Sequence, residues 1–340
     1  MPFVRELLKY DSISIVGLEK NTGKTECLNY LIKRLPLDIM TVAVSSIGVD
    51  GERRDQVTRS SKPEILLRDG MLFGTSEQHY RSRKVTSELL DIGEERTSLG
   101  RVITARALSG GKVLLSGPSS TASLRRWMDS AIKNHNADLC IIDGALSRMS
   151  LASPVVSKSM ILATGAALSA NIKTLVTKTA FVVGLVNIPV TKIAAKKILE
   201  TKDNGVWSIG ENGDITPVGI SSLLSYDKLD SSTISGAKAI FISGALTDRF
   251  LNTVCRESVD KEIELIVGDF TKIFVTPLNY NTFIKRGGKI SVLKKSKLLA
   301  VCVNPTAPDG TRLDSDKLCH ELEKEIGLPV YDIIKNEYEA

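Results

Sequence analysis

Histidine and aromatic side chains are scarce: the 340 residues include three histidines, and aromatics make up 5%. His79, His135 and His320 fall in unrelated contexts, and no zinc-ligand spacing, nucleophile elbow or glycosidase-like pair of carboxylates can be drawn through the chain. His135, within 133-KNHNAD-138, reads as a residue ending a surface helix. The five cysteines (27, 140, 255, 302 and 319) are scattered and form no C-x-x-C pair. That excludes a disulfide framework and suits a reducing compartment, with Cys140 and Cys302 as small core residues inside apolar runs. No apolar run approaches the length of a membrane span, and MPFVRELLKYDS lacks the apolar core of a signal peptide. The cytoplasm is the expected address, with no membrane partner. Charge of one sign is also lacking, since 45 basic against 39 acidic residues leave a net +6. The basic runs 192-KIAAKK-197 and 294-KKSK-297 have no aromatics among them and read as solvated faces, so nucleic acid is not expected.

What is present is an ordinary globular composition, 42% hydrophobic and 25% charged, arranged as short β-branched runs alternating with longer segments of helical period. This pattern predicts an α/β fold with a mostly parallel sheet flanked by helices. Strands are expected at 13–16, 41–45, 113–116, 139–142, 160–163 and 180–186, then at 239–243, 264–267, 272–275, 298–303 and 330–333. Helices should open at Thr25, with Leu28, Leu31 and Ile32 on one face, and near Thr121, with Leu124, Trp127, Met128 and Ile132. Ser119, Ser120 and Thr121 are placed to cap the second of these. The polar stretch from Gly48 to Arg101 predicts loops and short helices reaching over a site. The turn-rich segment 202-KDNGVWSIGENGDITPVG-219 marks a boundary or a small hairpin. A first region over 1–204 and a second α/β region over 205–340, a candidate partner-binding domain, follow. The segments 141-IIDGALSR-148, 161-ILATGAAL-168 and 241-FISGALTDR-249 echo one another, as strand ends running into small-residue turns do.

The chemistry concentrates in 13-ISIVGLEKNTGKTECLNYLIKRL-35. A phosphate-binding loop needs glycines that let backbone N–H groups curl inward, a helix N-terminus behind them, a lysine for the outer phosphates and a hydroxyl for Mg2+. Gly17 and Gly23 enclose five residues, one more than the usual spacing, before Lys24 and Thr25. The strand before and the helix after make an accidental turn improbable. The nucleotide-binding set is therefore Gly17, Lys20, Asn21, Thr22, Gly23, Lys24, Thr25 and Glu26. A carboxylate ending a later strand should help hold Mg2+, and 138-DLCIIDGALSR-148 offers Asp143 followed by Gly144. In the loop 47-IGVDGERRDQVTRSSKP-63, Asp50 is the first choice for a further Mg2+-positioning or catalytic carboxylate, ahead of Glu52 and Asp55. Lys24 and Asp50 are the expected catalytic residues, and Thr25, Asp143 and Asp50 the expected metal ligands.

The lengthened G-x5-G-K-T loop with a later Asp-Gly resembles the dethiobiotin synthetase and cobyrinic acid amide synthase group over about the first 190 residues. That resemblance implies a P-loop NTPase-like first half binding ATP and Mg2+, a homodimer, and Asn187, ending the expected strand 180–187, as a contact to adenine. Glu19 stands where dethiobiotin synthetase has an aspartate, and its lysine-containing substrate segment is replaced by 45-SSIGVDGERRDQVTRSSKPEI-65. The whole set G-L-E-K-N-x-G-K-T, S-I-G-x-D-G-E-x-x-D-Q-V-T, K-P-E-I and I-I-D-G-A-L is more similar to another family. This is the P-loop-bearing subunit of the reactivating factor of lysine 5,6-aminomutase, an adenosylcobalamin- and pyridoxal-phosphate-dependent enzyme of lysine fermentation. It implies an accessory protein, with the aminomutase and a second reactivating-factor subunit as partners, that helps exchange damaged cobalamin. Two other classes stay open: an ATP-dependent ligase or kinase acting on a small carboxylate or amine, with Lys20 and Lys24 neutralising phosphate charge, and a scaffold that binds nucleotide without turnover.

Overall fold

A computed structural model describes residues 2–48, 64–145, 153, 156–219, 236–257 and 262–335. In chain order the first part runs α1 (Pro2–Leu7), β1 (Ser12–Gly17), α2 (Lys24–Arg34), β2 (Val42–Ser46), β3 (Ile65–Leu67), β4 (Leu72–Ser76) and α3 (Glu77–Arg81). It continues through β5 (Ser87–Thr97), β6 (Gly100–Ala107), β7 (Gly111–Val113), α4 (Thr121–His135), β8 (Leu139–Ala145), β9 (Ser159–Gly165) and α5 (Ile172–Val186). There follow α6 (Lys196–Leu199), β10 (Val206–Ile209), β11 (Ile215–Pro217), β12 (Ala239–Ile242), β13 (Leu246–Thr247), α7 (Asp248–Glu257), β14 (Glu264–Val267), β15 (Ile273–Phe274), α8 (Pro277–Lys285) and β16 (Lys289–Val292). The chain ends with β17 (Lys297–Asn304), α9 (Ser315–Ile326) and β18 (Val330–Asp332).

The expected α/β class is what the chain forms. A nine-stranded sheet has the order β18-β17-β9-β1-β8-β2-β4-β6-β5. Its strands are parallel from β18 to β4; β6 runs the other way, and β5, antiparallel to β6, returns to the common direction. The period-two alternation divides β2, β4 and β8 between two cores. Ile13, Ile15, Val42, Val44, Leu139 and Ile141 join Phe3 and Leu7 of α1 and Leu28, Leu31 and Ile32 of α2. Ala43, Leu72, Cys140 and Ile142 instead meet Leu124, Trp127 and Met128 of α4. Leu28, Leu31 and Ile32 are essentially inaccessible to water, and burial on that scale contributes about 1.5–3 kcal/mol per side chain. Ser120 caps α4 by accepting from the Ser123 amide, as its position suggested.

Residues 1–180 and 296–340 form one compact unit, and 181–295 form another, so the second unit interrupts the first. The boundary expected near 205 falls inside the second unit. That unit has a five-stranded sheet, β11-β10-β12-β14-β16, with β12, β14 and β16 parallel. Its core gathers Leu199, Ile209, Ala239, Phe241, Ile266 and Leu293. The turn-rich segment does form a hairpin, β10–β11. The described parts of the three echoing segments each lie at the carboxyl end of a parallel strand: β8, β9 and β12.

Four expectations are corrected. The run expected as a strand at 180–186 is the second half of α5. Its β-branched residues suggested a strand, but the buried positions Leu175, Val176, Thr179, Val183 and Val186 recur at helical spacing over fifteen residues. The polar stretch before Arg101 is not loops and short helices alone, because β4 and the long hairpin β5–β6 occupy much of it. Its charged residues sit on an edge strand open to water, which hides the apolar alternation. The strand expected at 113–116 ends at Val113 and pairs with β3 in a separate ribbon. The expected strand 272–275 is cut to two residues by a 3-10 turn at Phe270–Lys272, which the Asp269 side chain caps.

Candidate functional site

The loop from Gly17 to Thr25 leaves the carboxyl end of β1, a central strand between β8 and β9. Its first residue is tied down where the Leu18 amide donates to the Ala163 carbonyl of β9 at 2.9 Å. Glu19, Lys20 and Asn21 are exposed. Asn21 adopts a positive φ of 61°, a conformation asparagine tolerates better than most residues. Thr22 is fully buried and donates its hydroxyl to the Glu19 carbonyl at 2.9 Å, closing the loop on itself.

Gly23 is the N-cap of α2, with φ 89° and ψ 22°, a left-handed geometry that costs a glycine nothing. Gly23 itself has no side chain to cap this helix. Lys24 is its first residue, followed by Thr25 and by Glu26 in the first turn. The N-cap residue thus supplies no side-chain acceptor to the first amides of this eleven-residue helix. At Gly17 an added Cβ would stand 2.6 Å from Thr22 Oγ1 and 2.8 Å from Lys24 Cγ. The lysine stem therefore folds back across the start of the loop.

Asp143 is brought to the same edge of the sheet. β8 lies beside β1 in parallel register, with Ile15 opposite Asp143 and Gly17 opposite Ala145. The partly buried Asp143 is thus two residues below the strand end from which the loop departs. On its other side Ser46 of β2 is in register with it and donates its hydroxyl to the Asp143 carbonyl at 3.1 Å.

Among the described residues no three His, Cys, Asp or Glu side chains come together as metal ligands. A hard cation of the Mg2+ kind keeps waters and would need only one or two protein oxygens besides phosphate. Of the expected ligands, Thr25 stands in the first turn of α2 and Asp143 on β8, beside β1.

Asp50, Glu52 and Asp55 lie outside the described residues, so the structure places Lys24 but not its expected catalytic companion. Asn187 does not end a strand. It is an exposed residue following α5, and its carbonyl accepts from Lys295 Nζ at 3.0 Å. It also belongs to the second unit, whereas the loop belongs to the first.

Two residues that the sequence reading passed over, Gly165 and Asn304, adjoin the loop. A Cβ on Gly23 would meet Asn304 Cβ at 2.9 Å, so the end of β17 abuts the helix cap. A Cβ on Gly165, at the end of β9, would stand 2.0 Å from the Asn304 carbonyl oxygen. That same carbonyl accepts from the Ala166 amide at 2.9 Å, and the Asn304 carboxamide accepts from the Thr306 amide at 3.0 Å. The signal available in the sequence was a second strand–turn junction, 299-LAVCVNPTAPDG-310, with an asparagine and two prolines at its end.

A scan against protein-family models finds no match to this chain, and comparison with curated proteins and with solved structures finds none either.

Proposed function

We propose that this chain binds ATP with Mg2+ at the Gly17–Thr25 loop and acts as a nucleotide-dependent accessory protein. Its proposed role is to help an adenosylcobalamin-dependent aminomutase exchange damaged cobalamin, together with a second reactivating-factor subunit. The single observation that carries the nucleotide site is the convergence at one sheet edge. The left-handed Gly23 opens α2, the Lys24 stem lies across Gly17, and Asp143 stands on the neighbouring strand. The loop amides and the α2 N-terminus would receive the phosphates, and Lys24 would neutralise their outer charge. Thr25 and Asp143 would hold the cation. When bound, the nucleotide supplies a phosphoryl group whose presence or loss distinguishes two states of the protein.

The accessory role is supported by the interrupting unit. Residues 181–295 build a sheet and core of their own and carry Phe274 and Leu278 at 56% and 75% exposure, apolar side chains suited to a protein partner. A ratio of affinities for the two nucleotide states would set how far a partner's conformation is biased.

Phosphate release tests this reading, measured with Mg-ATP alone, with small carboxylic acids and amines, and with inactivated aminomutase plus damaged cobalamin. Release stimulated by the aminomutase is the expected result. Release that depends on a small acid or amine would make the chain a ligase or kinase. Tight binding without release in all three would make it a scaffold.

A further inference from the structure

Apart from the glycine-framed loop, the first unit contains a cavity of about 600 Å3 between the β5–β6 hairpin and α4. One wall is the indole of Trp127, which is 8% exposed. Its orientation is fixed twice. Nε1 donates to Thr104 Oγ1 at 3.0 Å, and the ring lies so close to Gly74 that a Cβ there would be 2.6 Å from it. Facing this aromatic wall, β5 contributes Asp91, Glu94 and Glu95, and α4 contributes Ser123 and Arg126. Three carboxylates against one guanidinium leave the lining at a formal net charge of −2 (−3 + 1).

Glu95 is the best-defined of the three carboxylates. Its Oε1 accepts from Ser119 Oγ at 2.5 Å. The Ser119 hydroxyl, and after it Ser123 and Arg126, hold the carboxyl below the usual glutamate range, so it is ionised at neutral pH. Its Oε2 is screened from water yet meets no donor at hydrogen-bonding geometry, and Arg126 stands 3.6 Å away. The Glu95 side chain is 34% exposed, so this oxygen can accept from a donor outside the chain. An aromatic face next to surplus negative charge favours an organic cation over an anion.

We propose that this cavity binds a small organic cation, with an ammonium or guanidinium group donating to Glu95 against the face of Trp127. Asp91 and Glu94, on the same strand, would receive a second cationic end. The site uses none of the residues of the nucleotide loop and does not depend on that reading.

The test is calorimetric titration of the full chain with 1,4-diaminobutane, with butyrate and MgCl2 as controls, at physiological salt. Trp127 fluorescence, isolated in a Trp207→Phe background, reports the location. Saturable binding of the diamine, a matching fluorescence change, and an affinity at least about tenfold weaker in Glu95→Gln (~1.4 kcal/mol) are expected. Lys24→Ala should bind the diamine as the parent does, which keeps this result apart from that for the nucleotide. If Glu95→Gln fails to fold, Asp91→Asn carries the comparison and should also weaken binding. No saturable binding to folded protein would overturn the proposal. So would butyrate or Mg2+ binding equally well, or undiminished affinity in the carboxylate variants.

Discussion

The Lys24 side chain lies against the α-carbon of Gly17, close enough that a Cβ on that glycine would stand 2.8 Å from Cγ and 2.9 Å from Cδ. The glycine is therefore required by the path of the lysine as much as by the curvature of the loop. Gly17→Ala should push aside both the lysine stem and the buried Thr22 hydroxyl, 2.6 Å from the added methyl, at a cost to the fold of about 1–3 kcal/mol. Nucleotide affinity should fall at least about tenfold (~1.4 kcal/mol). Lys24→Ala should lose affinity similarly while melting as the parent does without nucleotide. Equilibrium binding of a fluorescent ATP analogue, with thermal unfolding alongside, checks both. Unchanged affinity in Lys24→Ala would refute the loop as the nucleotide site.

Asp143 should act through the cation. Asp143→Asn removes the charge and keeps the shape, so the Mg2+ concentration giving half-maximal nucleotide binding should rise about tenfold or more. Binding of nucleotide measured in EDTA should change much less. Titrating Mg2+ at fixed nucleotide separates the two, and an equal loss with and without the metal would count against the assignment.

The glycines make a paired stability prediction. Gly165→Ala would set a methyl group 2.0 Å from the Asn304 carbonyl oxygen, and backbone of two adjacent parallel strands cannot swing away as a side chain can. A destabilisation of about 3 kcal/mol is expected. Gly184, exposed in α5 with nothing within 4 Å of an added Cβ, should do the opposite. Gly184→Ala should stabilise by about 0.5–1 kcal/mol through helix propensity. Urea unfolding of the two variants measures both signs.

Asp11 provides a pH-dependent test. Burial works to raise its carboxyl, but the hydrogen bonds from Lys158 and Ser12 outweigh that and hold it below its ordinary 3.8. A depressed folded-state value stabilises the protein above the unfolded-state value, and the contribution is lost as pH falls through the folded one. The Lys158 and Asp11 side chains are 64% and 41% exposed, which limits the pair to about 0.5 kcal/mol. Asp11→Asn should therefore cost that much near pH 7 and almost nothing near pH 2. A cost that persists at low pH would mean that the side chain acts through shape and not charge.

Much of the first unit was legible because its signals are local. The strand before Gly17, the helix from Lys24 and the helix from Thr121 announce themselves by period and caps. Asp143 was legible because a carboxylate before a glycine at the end of an apolar strand is a short-range pattern. The second half of α5 was misread because Val182, Val183 and Val186 favour strands locally, while the helical spacing of Val183 and Val186 with the earlier buried positions shows only over the whole fifteen residues. The β5–β6 hairpin was missed for a related reason. Its edge strand is mostly exposed, so no apolar alternation marks it.

The sequence by itself determined the α/β class and the order of parts in the glycine-framed loop, because glycine conformation, helix starts and strand alternation are set by neighbours along the chain. Only the tertiary structure decided that Asn304 abuts Gly23 and Gly165, that residues 181–295 interrupt the first unit, and that Trp127 and Glu95 line one cavity. Each of these depends on which strands lie side by side, and strand pairing is fixed by the burial of whole faces, which no short stretch of residues specifies.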